Sequence, residues 1–169
     1  PYTYRELDNY FDTKSFLFDS DEHLWIATKK GIIRIMDSQK NLLGYLSPDG
    51  ELAQTETVFA EGGIYVMLKD QAQTIWLGSK ENGLFRLVPR NRPYHYEVYH
   101  YMNNPSDPYS ISDNKISCID EDHNGRIWIG TYGGGLNLVE EKEDGAIRFI
   151  HAENNLSGFP ICLLYTSDA

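Results

Sequence analysis

One pattern recurs three times along this chain and sets most of what it can fold into. Asp19, Asp70 and Asp122 each stand six residues before a tryptophan: Trp25, Trp76 and Trp128. Two residues past each Trp comes a small residue (Ala27, Gly78, Gly130), and then a hydroxyl (Thr28, Ser79, Thr131). A glycine follows (Gly31, Gly83, Gly135) and opens an apolar stretch. Successive tryptophans lie 51 and 52 residues apart, and all three tryptophans of the chain are used this way. A fixed period of about fifty residues marks a repeat architecture.

Each copy reads as strands. Ile64-Tyr65-Val66-Met67-Leu68 and Ile116-Ser117-Cys118-Ile119 are short and rich in apolar and β-branched residues. A polar turn follows, with Asn124-Gly125 in the third copy, the dipeptide best suited to a tight hairpin. The second strand carries the Trp. A third runs Gly31 to Ile35, Gly83 to Leu87 and Gly135 to Val139, and a fourth Asn41 to Leu46, Tyr94 to Tyr101 and Ala146 to His151. Four antiparallel strands at this period form the signature of a β-propeller blade. A lone blade cannot bury both its faces, so neighbours must stack. The expected fold is all-β: a β-propeller fragment of about three four-stranded antiparallel blades.

The 169 residues hold three periods and a fraction, whereas propellers close with about 4–8 blades. The chain is therefore expected to be a piece of a larger ring, with terminal blades exposing apolar faces that further blades would cover. It starts at Pro1 and has neither a signal peptide nor a long apolar run. Residues 1–161 read as the partial propeller, a fourth copy beginning near Leu156. Two readings stand for 162–169, Cys162-Leu163-Leu164-Tyr165-Thr166-Ser167-Asp168-Ala169. The octapeptide resembles the translation of a sequencing-library adapter, a non-native tail; alternatively it is the first strand of a fourth blade.

The net charge of −10 argues against nucleic acid, which needs a basic face, and against anionic membranes. If Cys162 belongs to the adapter-like tail, Cys118 stands alone and no disulfide framework exists; Cys118, in an apolar strand, is expected in the core.

Ile116 to Val139, with Asp122, Asn124-Gly125, Ile127-Trp128-Ile129-Gly130-Thr131 and Gly133-Gly134-Gly135-Leu136, resembles the two-component regulator propeller repeat. The stretch before it, Tyr99-His100-Tyr101, Asn104 to Pro108 and Ser110 to Asn114, is similar to the linker that introduces such repeats. The likeness is specific in the third copy and looser in the first two. Copy one has Ala27 and lacks a Gly125 equivalent; copy two has Ala72-Gln73 in its turn.

The resemblance implies the periplasmic sensor region of hybrid two-component system histidine kinases, frequent in gut Bacteroidetes. There, two propellers, usually seven-bladed, and a β-sandwich precede a membrane helix, with kinase, receiver and DNA-binding domains inside the cell. Ligands of that family are typically oligosaccharides from glycan breakdown. The implied partners are such an oligosaccharide, the remaining blades and a second copy in the parent. A diguanylate cyclase receptor is the other context for these repeats. The implied region is non-catalytic, with no cofactor.

Three motifs in the chain suggest chemistry. Asp120, Asp122, Asn124 and Gly125 open like a calcium loop, but position twelve is Thr131 instead of the bidentate Glu such a loop needs. Asp19, Asp70 and Asp122 read instead as structural turn residues that accept backbone N–H bonds, in a geometry similar to the Asp-box turn of sialidase propellers. His23 beside Asp19 and Asp21 invites a metal reading, yet its counterparts are Thr74 and Arg126, so no metal is expected. Gly133-Gly134-Gly135 lacks the Lys-Ser/Thr of a phosphate-binding loop.

The tryptophans hold one equivalent position in every copy, which argues for packing between sheets over sugar stacking. Ligand residues should break the repeat, because a binding site is asymmetric. The places where the copies diverge are the loops between second and third strands, with Lys29, Lys30, Lys80, Glu81, Asn82 and Tyr132, and the loop entering the third copy, with Tyr109, Ser110 and Asn114. An aromatic, cations, a carboxylate and amides suit a hydroxylated or charged sugar. Two function classes remain: a ligand-sensing fragment, and a propeller enzyme of lyase or glycoside hydrolase type, which would need convergent acid/base groups near the axis.

Overall fold

The computed structural model of the chain describes residues 12–154. They contain no helix, and so none long and apolar enough to cross a membrane. Thirteen strands make three antiparallel sheets, each in simple up-and-down order. Blade one is β1 (Thr13–Phe18), β2 (Leu24–Thr28), β3 (Ile33–Met36) and β4 (Leu42–Leu46), with a short fifth strand, β5 (Leu52–Ala53), on its outer edge. Blade two is β6 (Ile64–Lys69), β7 (Ile75–Ser79), β8 (Leu84–Pro89) and β9 (Tyr96–Tyr101). Blade three is β10 (Ile116–Glu121), β11 (Ile127–Thr131), β12 (Gly135–Glu141) and β13 (Ile147–Ile150). The adapter-like octapeptide and the start near Leu156 lie outside the described residues.

The core is two seams. Trp25, Ala27, Ile33 and Ile35 of blade one meet Ile64, Met67, Leu77 and Phe85 of blade two. Trp76 and Leu84 of blade two meet Ile116, Ile119 and Ile127 of blade three. The small residue after the second Trp is explained here. A Cβ on Gly78 would come within 2.6 Å of the Ile116 side chain in the next blade. Strand periodicity puts Trp and its cross-strand partner on the face toward the following blade, and the residues between them on the face toward the preceding one. Phe16 shows the rule by exception: its counterparts by register, Met67 and Ile119, are buried against a preceding blade, while Phe16 is 63% exposed.

Four details differ from the sequence reading. The first sheet has five strands, because the chain folds back as β5 before crossing to blade two. The opening strand β1 carries Lys14 and Ser15 and gave no clear apolar run. Cys118 is exposed, not core: it lies on the outward face of blade three, which no described residue covers. The glycine of copy one is not the structural counterpart of Gly83. The loop hydrogen bonds run from Thr28 N to Ile32 O and from Ser79 N to Gly83 O, so Ile32 and Gly83 are equivalent and Gly31 sits one place earlier. At Gly31, φ is +80°, and a Cβ would overlap the Ala60 carbonyl at 1.7 Å. One residue of offset turns a strand's side chains to the opposite face. Arg34 therefore pairs with Ile26, whereas Arg86 pairs with Trp76.

Candidate functional site

The turn between first and second strands is built around the same aspartate in all three blades. In blade one, Asp19 Oδ1 accepts the N–H of Asp21 at 2.9 Å and of His23 at 3.0 Å. In blade two, Asp70 Oδ1 accepts the Thr74 N–H at 2.9 Å, and in blade three Asp122 Oδ1 accepts those of Asn124 and Arg126 at 2.9 and 3.0 Å. The other carboxylate oxygen takes the indole N–H of the tryptophan six residues on: Trp25 at 3.0 Å, Trp76 at 2.9 Å and Trp128 at 2.9 Å. One side chain thus closes the hairpin turn and satisfies the one polar atom of the ring that fills the seam. A buried indole N–H without an acceptor would be costly.

The same turn forms without glycine: Glu22 and Gln73 adopt φ of 62° and 68° where Gly125 has 79°. The Asp122 carboxyl is held well below the usual carboxylate range, first by the Trp128 indole and then by bonds from Arg126 and Asn124. Both its oxygens are occupied by donors. At the opposite end of the blades the hydroxyls close the second-to-third-strand loops. Ser79 Oγ donates to Gly83 O at 2.9 Å and accepts from Asn82 N at 2.7 Å; Thr131 Oγ1 does the same with Gly135 O and Gly134 N.

The residues singled out from sequence divide into three groups. Lys29, Lys30, Lys80, Glu81 and Asn82 share the loop end of blades one and two. Lys29 and Lys30 reach Asp12 at 3.3 and 3.8 Å, Lys80 lies over the Tyr65 ring at 5.9 Å, and the Asn82 amide donates to the Glu61 carbonyl. Tyr132 stands 68% exposed, with the Lys115 ammonium 4.5 Å from its ring centre. Asn114 acts on the backbone: its side chain accepts from Asn103 N at 2.7 Å and its carbonyl from Gly83 N at 2.8 Å. Tyr109 is not gathered with the others. It lies at the outer edge of blade three, under the Arg148 guanidinium at 4.5 Å, with its carbonyl on Phe149 N. Ser110 likewise serves its own loop, bonding Asn104 N and O.

The opposite end of the blades holds the group that the sequence had already brought together. There Asp19, Asp21 and His23 lie close enough to share an ion. However, Asp19 is already bonded by Trp25 and, across the seam, by the Tyr94 hydroxyl at 3.1 Å, and His23 meets the same hydroxyl. Burial and the nearby Asp19 charge push the Tyr94 phenol far up. The three side chains are close in sequence; only Tyr94 comes from the long-range packing of blade two on blade one, and no local spacing announces it.

The family described as two component regulator propeller matches residues 110–133. Residues 110–133 are thus similar to a two-component regulator propeller repeat. The match spans the loop into blade three, Asp122, Trp128 and Thr131, the residues that hold the turn together. Three known proteins are similar to this chain. The chain is 23% identical to histidine kinase P4 of Formosa agariphila, over 91% of this chain and 12% of that protein. It superposes on the extracellular domain of a putative hybrid two component system from B. thetaiotaomicron with a TM-score of 0.51 at 21% identity, covering 75% of this chain and 14% of that one. It also superposes on the Cps50 (Swd1) β-propeller domain of Myceliophteria thermophila with a TM-score of 0.54 at 15% identity, covering 87% and 43%. The chain thus spans a small part of the length of these relatives, and the structural likenesses establish the propeller fold.

Proposed function

We propose that these blades belong to the ligand-sensing propeller of a hybrid two-component receptor, lie outside the cytoplasm, and respond to a glycan-derived oligosaccharide. The observation that carries this reading is the regulator propeller match at residues 110–133, supported by a histidine kinase and an extracellular two-component domain among the relatives. Within the reading, the blades bind and transmit and do no chemistry of their own. The ligand lies on the loop end, where Lys29, Lys80 and Tyr132 vary at one structural position beside invariant hydroxyl locks. A tyrosine offers an apolar face to a sugar ring, and a lysine holds a carboxylate or sulfate. Periplasmic location, an oligosaccharide ligand and a dimeric parent are parts of this proposal.

The test is alanine substitution of Lys80 and Tyr132 in the intact receptor, followed by calorimetric titration with candidate oligosaccharides. The expected result is a loss of affinity at an unchanged melting temperature. Unchanged affinity would move the ligand off these blades.

A further inference from the structure

The two seams of the molecule are covered differently at their turn end. Over Trp25, blade two brings Tyr94 and Tyr96, whose ring centres lie 6.3 and 5.7 Å from the indole. The register of β13 on β12 and of β9 on β8 makes Ile147 the counterpart of Tyr96, and Gly145 lies two residues before it as Tyr94 does before Tyr96. Blade three therefore brings a glycine and an isoleucine where blade two brings two phenol rings. The space left over Trp76 is a cleft of 690 Å³, lined in part by Trp76, Val88, Ile127, Val139 and Ile147. That volume suits a small ligand.

Arg86 projects into this cleft, at a position where the repeat is otherwise aliphatic. Its register counterparts opposite the other tryptophans are Ile35 and Leu138. The guanidinium carbon lies 4.5 Å from the Tyr99 ring centre and 5.9 Å from that of Tyr101. Its Nε is buried without a hydrogen-bond partner. The other two cleft arginines are already paired, Arg90 with Glu97 and Arg126 with Asp122. Asp70, also on the lining, spends its carboxylate on Trp76 and Thr74. An arginine never loses its charge, so the buried donor calls for an anion, and its planar fork matches a carboxylate. The chain's net charge of −10 gives no general attraction for anions, so the recognition is local.

We propose that the cleft between blades two and three is a binding site for a small carboxylate with an apolar body, the carboxylate held by Arg86 and the body lying along Val88, Val139 and Ile147. The site is at the turn end of the blades, opposite the loop-end residues of the receptor reading, and does not rest on that reading.

The chain labelled with ¹⁵N-arginine is titrated with sodium benzoate, with neutral benzamide and with inorganic sulfate, following the Arg86 Nε–H resonance. That line is assigned by its loss in R86L, a substitution that restores the residue type the repeat carries at Leu138. Benzoate is expected to shift the line downfield saturably. By calorimetry its affinity should fall about tenfold or more in R86L and in R86Q, the loss expected for a charged bidentate contact. Benzamide should bind far more weakly. R86Q keeps a polar side chain should R86L alter packing, and both melting curves are recorded. No saturable shift with benzoate overturns the proposal, as does equal affinity in the folded variants. Tighter binding of sulfate than of benzoate overturns the apolar half of the site.

Discussion

The first and second seams use the same tryptophan, the same aspartate and the same turn, yet one is closed and the other gapes. Trp25 is fully buried, its indole tied to Asp19 and roofed by Tyr94 and Tyr96, and Tyr94 itself bonds back to Asp19 across the blades. Trp76 is nearly as buried, at 3% exposed, but Gly145 and Ile147 leave a cleft beside it, with Arg86 in the wall. Trp128 keeps its Asp122 bond and is only half-buried, covered on one side by the Arg126 guanidinium at 5.5 Å. The contrast separates two jobs the repeat does. The aspartate–tryptophan lock is local and survives wherever the hairpin folds. The seam is non-local, and its closure depends on which side chains the next blade contributes.

The largest effect should therefore follow from removing the roofed ring. W25A is expected to lower stability by about 3–5 kcal/mol, the range for emptying a packed aromatic site. W128A should cost well under half of that, since its ring is already partly in water. Urea denaturation of both variants checks the pair. Equal losses would mean that the tryptophan acts within its own hairpin and that the seam adds little.

Removing the lock should have a middling effect. D70A strips acceptors from the Thr74 N–H and the Trp76 indole at once and is expected to cost about 1–2 kcal/mol by the same measurement. D70N keeps one amide oxygen for one of those donors and should recover part of the loss. No difference between D70A and the parent would mean that neither bond of the carboxylate contributes to stability.

A smaller effect should come from copying one seam onto the other. I147Y gives blade three the ring that blade two has at Tyr96. Roofing Trp76 should raise stability by about 0.5–1.5 kcal/mol, the value of an added aromatic pair, and weaken benzoate binding by occupying the cleft. A stable I147Y protein with undiminished benzoate affinity would place the carboxylate elsewhere than over Trp76.

The blades themselves were legible because their signals repeat. An apolar strand, a polar turn and a Trp strand recur at one spacing, so the errors of a single copy average out. The six-residue step from Asp to Trp was visible in the chain, but its meaning needed the hairpin, which brings the carboxylate of Asp70 beside the ring of Trp76. Gly31 misled by one place: its sequence match to Gly83 suggests that Arg34 and Arg86 are equivalent, while loop hydrogen bonds set them on opposite faces. The cleft was illegible for the same reason. Arg86 looks like the Arg34 of its own copy until the register is known, and the absence of a roof is a property of Gly145 and Ile147, sixty residues along the chain.

The smallest effect is one that vanishes at neutral pH. Burial raises the phenol of Tyr96 to about 12, with Asp19 and Asp21 adding to the shift, and burial raises Tyr101 to about 12 despite the opposing pull of Arg86. A phenol favoured in its protonated form by the fold contributes stability that is complete below its unfolded value of 10 and is lost as pH rises from there toward 12. Tyr94 is raised as well, so the first seam holds two such groups, Tyr94 and Tyr96, against one in the second, Tyr101. Stability should be flat through neutrality and decline above pH 10, and the decline should be shallower in the Y94F/Y96F double variant, which removes both groups of the first seam, than in Y101F. Denaturation midpoints across that window, with phenolate absorbance followed in the same samples, give the answer. An equal slope in the two variants would show that the roof over Trp25 is no tighter than the wall beside Arg86, and the difference between the seams would then rest on the cleft volume alone.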